Sequence, residues 1–504
     1  MLIKRPAVNT QAPSKQYSFS SKPLVLFVLL IFGVLGLNYS TLYAANNIYY
    51  VAQLNPLASD TNPGTQNLPW RTLQHAVAEA TPGTVIIVSP GEYGRVTIEM
   101  SGLDAGDGQI VVRSERRPVV QFNQTNAELL NSSDTAVTQG FIIRGNYIKI
   151  DGFEVSNIGA NNRGAFYIDG AEYIEIVNNY VHELNCTNGN YGAIRGNQSS
   201  VTEGVVIRNN IMWRVEGITI AIPLSAVNWL IEGNDISHGT DLTPEGVKVC
   251  GDADAIRPFG HGHIIRDNYI HDFLRSEGTQ GIGEPHMDCF QTYSVNGEQA
   301  YDIFIEANTC DNIGAQFVMF EDHPVQNNVH HIRFVNNIFT NAQGATAVNV
   351  RGCDYLEFVH NIVAYSGRGL RLRDGAHHSR VFNNIFYYNR SAALLNEDEA
   401  SLPGTEWDFN MHYPFVTVPI GYEYDQHALI TIDPMFVNPE SGDYHINADS
   451  PAINGGQPLN DVVNDKDGIS RPHGSGWDIG PYEYTESVGT NSPNAPQNLK
   501  ILNP

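Results

Sequence analysis

The sequence predicts an all-β fold, a parallel β-helix in which short coils stack into a solenoid. Between Asp151 and Asn384 one pattern occurs nine times: alternating apolar residues, then Asn-Asn or a close substitute, then apolar residues again. The copies are about 23 to about 40 residues apart, a spacing typical of solenoid repeats. Alternation with a period of two predicts strands that bury one face. Coils stacked about 4.8 Å apart would align these strands in parallel sheets.

Each copy of the pattern carries a turn at the same place. The second turn residue falls at Gly152, Asn179, Asn210, Gly233 or Asn234, Asn268, Asn308, Asn337, Asn361 and Asn384. Asparagine tolerates a left-handed backbone, and its side-chain amide can bond a stacked neighbour. We therefore predict that these residues both bend the chain and link successive coils.

Composition supports this architecture and excludes one class of partner. Charged residues make up 16% of the 504 residues, and the formal net charge is −25. A nucleic-acid partner is excluded because phosphate binding requires a basic face. An acidic substrate is not excluded, since a local arginine or a bound divalent cation can reverse the sign within one site. No feature of the sequence indicates a protein partner, and we predict a monomer.

Residues 1–44 are predicted to be a signal peptide. Four basic residues precede an apolar run at 24–37, and small residues follow this run. The run is shorter than the roughly 20 residues that span a bilayer, so a cleaved signal is favoured over an uncleaved anchor. We expect the protein to be exported, either secreted or held at the cell surface.

Three further regions are predicted. Residues 45–410 form the β-helix with an N-terminal cap, 411–485 form a C-terminal cap, and 486–504 form a polar tail. Thr72 is the predicted N-cap of a short amphipathic helix, which Pro82-Gly83 ends. This helix would cover the open end of the first coil, where residues 85–93 form the first strand.

Five cysteines are scattered through the coils without a CxxC pair, so a thiolate metal site is not predicted. They are interpreted first as small buried residues of the stacked strands. In an exported chain, one or two disulfides between neighbouring coils are the alternative.

Two parts of the chain resemble known families. Tyr49–Val51, Asp60–Gly64, Pro69–Ala80 and Pro82–Tyr93 look like the N-terminus of right-handed β-helix proteins of the pectin-lyase-like superfamily, and within it like relatives of polysaccharide lyase family 9. Asp433–Phe436, Gly442–His445, Ser450–Gly455, Arg471-Pro472 and Asp478–Tyr484 resemble the choice-of-anchor Q module of exported bacterial β-helices. The first resemblance implies right-handed coils and a lyase whose lysine base lies beside Ca²⁺ held by several aspartates. Lys248 is the lysine that lies near such a cluster.

The coils from Asn234 to Asn268 and from Asn268 to Asn308 are longer than the rest, and we predict the functional site there. Extra residues in a solenoid leave as loops, and such loops commonly build the binding surface. The candidate catalytic residues are Lys248, Asp254, Arg257, His261, His286 and Asp288. The candidate metal ligands, with Ca²⁺ as the expected cofactor, are Asp252, Asp254, Glu284 and Asp288. The candidate substrate-binding residues are Arg275, Gln291, Glu321, His323, Arg351 and Arg373.

Aligning the strands by their apolar residues predicts which side chains stack. Asp254 lies over Asp288, one coil apart, where two carboxylates repel unless they share a proton or a cation. The column beside them is predicted to contain Arg257, Gln291, Glu321, Arg351 and Arg373. A groove lined by such side chains suits an extended sugar chain.

Three chemistries fit these residues. In β-elimination at a uronic acid, Arg257 or Ca²⁺ would neutralise the sugar carboxylate, and His286 or His261 would be the base. A glycoside hydrolase would use Asp254 and Asp288 as its carboxylate pair. The sequence at 284–286 is similar to the Asp-Pro-His signature of β-helical mannuronan epimerases, which implies epimerisation.

We predict a secreted carbohydrate-active enzyme that acts on an acidic polysaccharide, in the first place a polysaccharide lyase. A glycoside hydrolase or a uronan epimerase on the same fold is the alternative within the enzymes. A surface protein that binds carbohydrate without catalysis is the alternative outside them.

Overall fold

A computed structural model describes residues 47–486, apart from 123–126, 130–134, 157–163, 185–191, 240–251, 278–285, 295, 323–325, 391–393, 397–400, 402 and 415–424. The predicted signal peptide and nearly all of the predicted tail lie outside the described residues. Within the described part of the chain, no helix is both long and apolar enough to cross a membrane.

The chain forms a right-handed parallel β-helix with three long parallel sheets, as predicted. Sheet A contains Ile48–Val51, Val85–Val88, Ile110–Ser114, Ile148–Asp151, Ile174–Val177, Val206–Arg208, Leu230–Glu232, Ile264–Arg266, Ala300–Glu306, Val329–Val335, Glu357–Val359, Arg380–Phe382 and Glu406–Asp408, with side strands Thr202–Glu203, Ala226–Val227 and Gly260–His261. Sheet B contains Gly91–Tyr93, Ala136–Thr138, Glu154–Val155, Tyr180–Leu184, Ile211–Val215, Asp235–Ser237, Tyr269–Phe273, Thr309–Ile313, Ile338–Ala342, Ile362–Ala364, Ile385–Tyr387, Met411–Tyr413 and Leu429–Ile430. Sheet C contains Val96–Ile98, Phe141–Ile143, Phe166–Ile168, Ile194–Gly196, Ile220–Ala221, Ile256–Arg257, Phe290–Ser294, Val318–Asp322, Thr346–Arg351, Arg368–Arg373 and Leu394–Asn396.

The remaining elements are short. They are the helix Leu73–Ala78, the 3-10 turns Arg275–Glu277 and Pro439–Ser441, and the antiparallel pairs Val120–Phe122 with Ala127–Leu129 and Phe436–Asn438 with Asp443–Ile446. The predicted single strand at 85–93 is in fact two strands, one in sheet A and one in sheet B. Ser89 and Pro90 lie between these two strands, where the chain turns from one sheet into the next.

The repeated Asn-Asn pattern is the corner between sheet A and sheet B, which we call the A–B corner. In every coil from Gly152 to Asn410 two residues form this corner. The first has a positive φ, and it is Gly152, Asn178, Asn209, Gly233, Asp267, Ala307, Asn336, His360, Asn383 or Phe409. The prediction gave one asparagine both roles, bending the chain and linking the coils. The structure divides the two roles between neighbouring residues.

The second corner residue builds a buried ladder of amides. Its members are Asn179, Asn210, Asn234, Asn268, Asn308, Asn337, Asn361, Asn384 and Asn410. Each Nδ2 donates to Oδ1 of the next member at 2.9–3.2 Å. The same Oδ1 also accepts from the backbone N–H of the previous member, so the ladder satisfies buried polar groups along the whole corner. Phe153 takes the corresponding position in the first coil of the pattern.

Inside the coils, a disulfide joins Cys289, at the start of a sheet C strand, to Cys310 in sheet B of the next coil. The two Cα atoms are 6.4 Å apart and both side chains are buried. This agrees with the alternative of a disulfide between neighbouring coils. Cys353 is buried and unpaired, while Cys186 and Cys250 lie outside the described residues.

Removing this disulfide is expected to lower the apparent free energy of unfolding. The bridge spans 21 residues of sequence, a loop for which cross-linking contributes about 3 kcal/mol. The double variant C289A/C310A should therefore unfold at lower urea concentration than the parent. Cys353→Ala, which removes a buried thiol but no cross-link, is the matched control and should cost about 1 kcal/mol or less. Equal losses in the two variants would contradict the prediction.

The N-terminal segment covers the open end of the solenoid, as predicted. Thr72 Oγ1 accepts from the backbone N–H of His75, which caps the helix. The side chain of Gln74 donates to Thr97 O at 3.0 Å and accepts from Thr97 N at 2.9 Å. One amide side chain thereby pairs the N–H and the C=O of Thr97 in the edge strand of sheet C, which would otherwise lack partners.

The C-terminal segment lies along the A–B corner rather than only over the last coil. Hydrogen bonds join Arg471 to Asn336 at 3.2 Å, Gly480 to His360 at 3.1 Å, and Gln457 to Asn383 at 2.9 Å. Arg471 is itself buried in an ion pair with Glu483 at 2.6 Å. The described contacts of this segment lie on the A–B side of these coils, away from sheet C.

The outer side of sheet B holds a buried charge network. His271 contacts Asp235 Oδ1 at 3.2 Å and Asp272 Oδ2 at 2.8 Å. Burial lowers the pKa of this imidazole, but the two hydrogen bonds and charges outweigh burial and raise the pKa from 6.5 to about 9. The side chain is therefore an imidazolium held between two carboxylates.

This network predicts a pH dependence of stability. Because the folded-state pKa of His271 is raised, its contribution is fully present below the ordinary value of 6.5 and is lost as the pH rises through about 9. The full contribution is roughly 3 kcal/mol. We expect H271Q to destabilise the protein more at neutral pH than at alkaline pH, measured by urea unfolding across the range. A destabilisation that does not change with pH would reject this account.

Candidate functional site

The candidate site lies where sheet B turns into sheet C in the two long coils. Residues 238–255 and 274–289 separate the B and C strands there, whereas residues 314–317 suffice in the next coil. The extra length that the sequence revealed therefore lies at the B–C turn. The strands that follow these turns carry Arg257 and Gln291 on the outer face of sheet C.

Arg257 is the centre of a buried hydrogen-bond network. Its Nη2 donates to Asp252 Oδ2 at 2.7 Å, and it also donates to Asp254 Oδ2 and to Gln291 Oε1. Its side chain is 5% exposed. The guanidinium is thus committed to protein acceptors, and this arrangement does not leave it facing a sugar carboxylate as the sequence prediction required.

Asp254 and Asp288 are neighbours one coil apart, as predicted, but both side chains are fully buried. Asp254 Oδ1 accepts from the backbone N–H of Asp288 at 3.1 Å, and Asp288 Oδ1 accepts from that of Gln316 at 2.7 Å. Each carboxylate therefore satisfies a backbone group of the next coil. Asp288 Oδ2 is buried without a hydrogen-bond partner among the described residues.

Burial and mutual repulsion make these carboxylates weak acids. Burial raises the pKa of Asp288 well above its usual range, and the neighbouring Asp254 raises it further. Burial also raises the pKa of Asp254, although the positive charge of Arg257 opposes this effect. Asp288 consequently carries a proton more readily than Asp254 does.

Gln291 fixes the tautomer of His286. An arginine can only donate hydrogen bonds, so the amide oxygen of Gln291 must face Arg257. The amide nitrogen Nε2 of Gln291 must then donate to His286 Nδ1, 2.6 Å away. A neutral imidazole that accepts at Nδ1 carries its proton on Nε2. His286 is half exposed, with 50% of its side-chain surface accessible. This geometry makes it a hydrogen-bond donor towards a ligand and does not favour the predicted role of base.

Asp252 and His286 are the accessible members of the network. Ala253 N donates to His286 O at 2.8 Å, and Ala255 N donates to Asp288 O at 2.9 Å. This register places Asp252 one coil from His286 on the same edge of the sheet. The Asp252 side chain is 35% exposed. A partly exposed carboxylate and a half-exposed imidazole N–H therefore lie on neighbouring coils, a pair that can accept a proton and donate a hydrogen bond.

The rest of the outer face corrects one predicted register. Glu321, Arg351 and Arg373 do stack on consecutive coils, as predicted. Gln291 lies beside Met319, however, and Glu321 lies beside Tyr293. The predicted single column is therefore two columns, offset by two residues.

Two aromatic residues that the sequence analysis did not single out lie on this face. Phe259 and Tyr293 pack edge to face with ring centroids 5.2 Å apart. The guanidinium carbon of Arg257 lies 5.6 Å from the Tyr293 ring centroid. The alternation of inward and outward residues along Phe290–Ser294 was the available signal, because it places Gln291 and Tyr293 on the same side.

Other predicted site residues lie elsewhere. His261 belongs to a side strand of sheet A and stacks on Tyr301 at 4.7 Å, with no described contact to the aspartates. Arg275 lies in a 3-10 turn after sheet B. Lys248, Glu284 and His323 lie outside the described residues.

The described aspartates do not fit a calcium ion as they stand. No group of three His, Cys, Asp or Glu side chains capable of holding a metal occurs among the described residues. Arg257 already neutralises Asp252 and Asp254, so a cation would have to displace its guanidinium. Glu284 belongs to the undescribed turn, and calcium at this site stays a prediction.

Comparisons with known proteins agree with the fold. Residues 49–218 match the family described as the Pel9A-like right-handed β-helix region, in agreement with the resemblance of the N-terminal part to family 9 lyases. The chain is 20% identical over 446 residues to the uncharacterized protein YwoF of Bacillus subtilis (strain 168), covering 79% of this chain and 91% of YwoF. No comparison bears on the resemblance of the C-terminal segment to the choice-of-anchor module.

Two solved structures are similar over most of the chain. The complex of XylC with xylose shares 14% identity over 87% of this chain and 98% of that chain, with a TM-score of 0.50. The pectate lyase Pel9A shares 15% identity over 88% of this chain and 97% of that chain, with a TM-score of 0.44. Identities this low describe a shared fold.

Proposed function

We propose that this β-helix, whose residues 49–218 match the Pel9A-like family, is a carbohydrate-active enzyme that cleaves an acidic polysaccharide by β-elimination. The observation that carries the proposal is the accessible pair of Asp252 and His286 above the buried network of Arg257. Both side chains are accessible to solvent beside sheet C, in the two coils with extended B–C turns. A polymer bound along the solenoid axis would pass over both of them.

The proton transfers follow from this arrangement. A counterion that comes with the polymer neutralises the uronate carboxylate, and Asp252, whose Oδ2 is held by Arg257, removes the proton from the carbon that bears it. The carbon–oxygen bond to the leaving sugar breaks and a carbon–carbon double bond forms. The N–H at His286 Nε2 donates a hydrogen bond that stabilises the negative charge on the leaving oxygen. The proton that Asp252 removed then passes through water to that oxygen, so Asp252 and His286 end in their starting states and protons and electrons balance.

The buried residues position this pair. Arg257 orients Asp252 directly, and it orients His286 through the amide of Gln291. Asp254 keeps Arg257 in place and ties its coil to the next one. Placing catalytic groups on stacked strands restricts their movement, as a preorganised site requires.

Hydrolysis is a second candidate, favoured by one observation. Burial raises the pKa of both Asp254 and Asp288, Asp288 the more strongly. Neighbouring carboxylates of unequal pKa are the usual acid and base of glycoside hydrolases. Both side chains are fully buried, however, so in this conformation neither carboxylate reaches a substrate.

The two candidates differ in their products. The protein would be incubated with pectate, alginate and glycosaminoglycans, with and without EDTA, while ultraviolet absorbance and reducing ends are recorded. β-Elimination gives unsaturated uronates, which absorb in the ultraviolet, together with new reducing ends. Reducing ends without absorbance would reject the lyase and support the hydrolase. Neither signal on any polymer would reject catalysis and leave a carbohydrate-binding protein.

A further inference from the structure

Beyond the Asp252–His286 pair, the outer face of sheet C becomes rich in arginine. The outward residues on the coils after Tyr293 are Met319 and Glu321, then Asn349 and Arg351, then Arg371 and Arg373. Asp374 Oδ2 accepts a hydrogen bond from Arg351 Nε at 2.5 Å, which leaves the two Nη groups of Arg351 for other acceptors. Among the described outward residues of these coils and Asp374, three arginines stand beside two carboxylates, on a chain of net charge −25.

The contacts of Glu321 with these arginines are loose. Arg351 Nη1 lies 3.7 Å and Arg373 Nη2 lies 3.8 Å from Glu321 Oε1. Direct charge-assisted hydrogen bonds measure about 2.7–2.9 Å. The three side chains are 22–26% exposed, and ion pairs of this kind contribute at most about 1 kcal/mol. A ligand carboxylate could therefore replace Glu321 at small cost.

Arg373 also has unused hydrogen-bonding capacity. Its Nε is buried without a hydrogen-bond partner in the described part of the chain. A donor without a protein partner can bind a water molecule or a ligand. The planar fork of arginine matches the two oxygens of a carboxylate.

We infer that Arg351 and Arg373 form a cationic subsite that binds the carboxylates of uronate sugars. The two arginines lie roughly 10 and 15 Å from Tyr293 along the outer face of sheet C. Glu321 is an internal competitor that occupies both arginines when the groove is empty. This inference rests on the proposed function for the placement of the polymer, and it deepens that proposal by naming the charge that the groove selects.

The inference predicts that two substitutions in this cluster change the affinity for an oligogalacturonate in opposite directions. R373Q should weaken binding of an oligogalacturonate about 10-fold or more, because it removes a charge-assisted hydrogen bond. E321Q should strengthen binding severalfold, because it removes the competitor and keeps the shape of the side chain. R380Q, which alters an arginine paired with Glu357 in sheet A, is the matched control and should bind as the parent does.

Binding would be measured directly by titration calorimetry, with oligogalacturonates of defined length and their fully methyl-esterified forms. The esters lack the charge and should bind weakly to the parent and all variants alike. An affinity that R373Q leaves unchanged, or that E321Q lowers, would overturn the inference. So would the absence of charge-selective binding to pectate, alginate and hyaluronan fragments.

The same titrations separate this inference from the proposed function. Cleavage of a polymer with unchanged affinity in R373Q would reject the subsite and leave β-elimination standing. Charge-selective binding with the predicted signs, but without cleavage of any polymer, would reject the enzyme and leave the subsite standing.

Discussion

Replacing Asn308 with alanine should lower the apparent free energy of unfolding by about 3 kcal/mol or more. Its Oδ1 accepts from the backbone and the side chain of Asn268 at 3.0 and 2.9 Å. Its Nδ2 donates to Ile265 O at 2.9 Å and to Asn337 Oδ1 at 3.1 Å. Asn308 is fully buried, so alanine would leave the N–H of Asn268 and the carbonyl of Ile265 without these partners and without water.

The effect would be measured by urea and thermal unfolding with far-ultraviolet circular dichroism. N308D keeps the two acceptor interactions but loses the Nδ2 donors and buries a charge, so it should also be strongly destabilised. N460A changes an exposed asparagine of the C-terminal segment and should stay within about 0.5 kcal/mol of the parent. A loss in N308A as small as in N460A would show that the ladder contributes little to stability.

Substituting His286 with alanine should reduce the rate of polymer cleavage by about 100-fold or more while leaving the fold intact. The imidazole N–H stabilises the developing charge on the leaving oxygen in the proposed mechanism, and the loss of one such hydrogen-bond donor costs about 100- to 1,000-fold. Because His286 is half exposed, its loss should change the unfolding midpoint little. Initial rates at saturating and limiting polymer would show the effect mainly in kcat.

H378A is the matched control, since His378 also stacks on the surface of the solenoid, 4.7 Å from Tyr355. This variant should retain full activity. D252N should lose activity as H286A does, because an amide cannot accept the proton. Activity that survives H286A and D252N would place the chemistry elsewhere, with Lys248 of the undescribed B–C turn as the next residue to test.

The fold was predictable because its signal is repeated. Strand alternation and the Asn-Asn spacing identify the coils, and the ladder from Asn179 to Asn384 lies where the pattern placed it. Asn410 was not predicted as a member of the ladder, because its copy of the pattern contains Phe409 where the others have a polar residue, glycine or alanine. The separate roles of the two corner residues were not predictable from spacing alone, because backbone handedness and amide contacts both favour asparagine.

The site was predictable only in part, for reasons of register. Aligning apolar residues correctly placed Asp254 over Asp288, but the alignment was wrong by two residues at the next coil. Thr292 points inward and is fully buried against Phe320, and a polar inward residue is invisible to an alignment of apolar ones. The alternation did carry a signal that the alignment did not use. Asp254 and Asp288 have the same inward orientation as Ile256 and Phe290, so their burial could have been predicted.

The A–B corner also bears on how such a protein can change over time. Its length is two residues in every coil from Gly152 to Asn410, whereas the B–C turns range from a few residues to the long segments at 238–255 and 274–289. Insertions on the B–C side leave the ladder, and the C-terminal segment packed beside it, untouched. Recognition and stability are thereby encoded in separate parts of each coil, so new specificities can be acquired by lengthening turns while the frame is conserved.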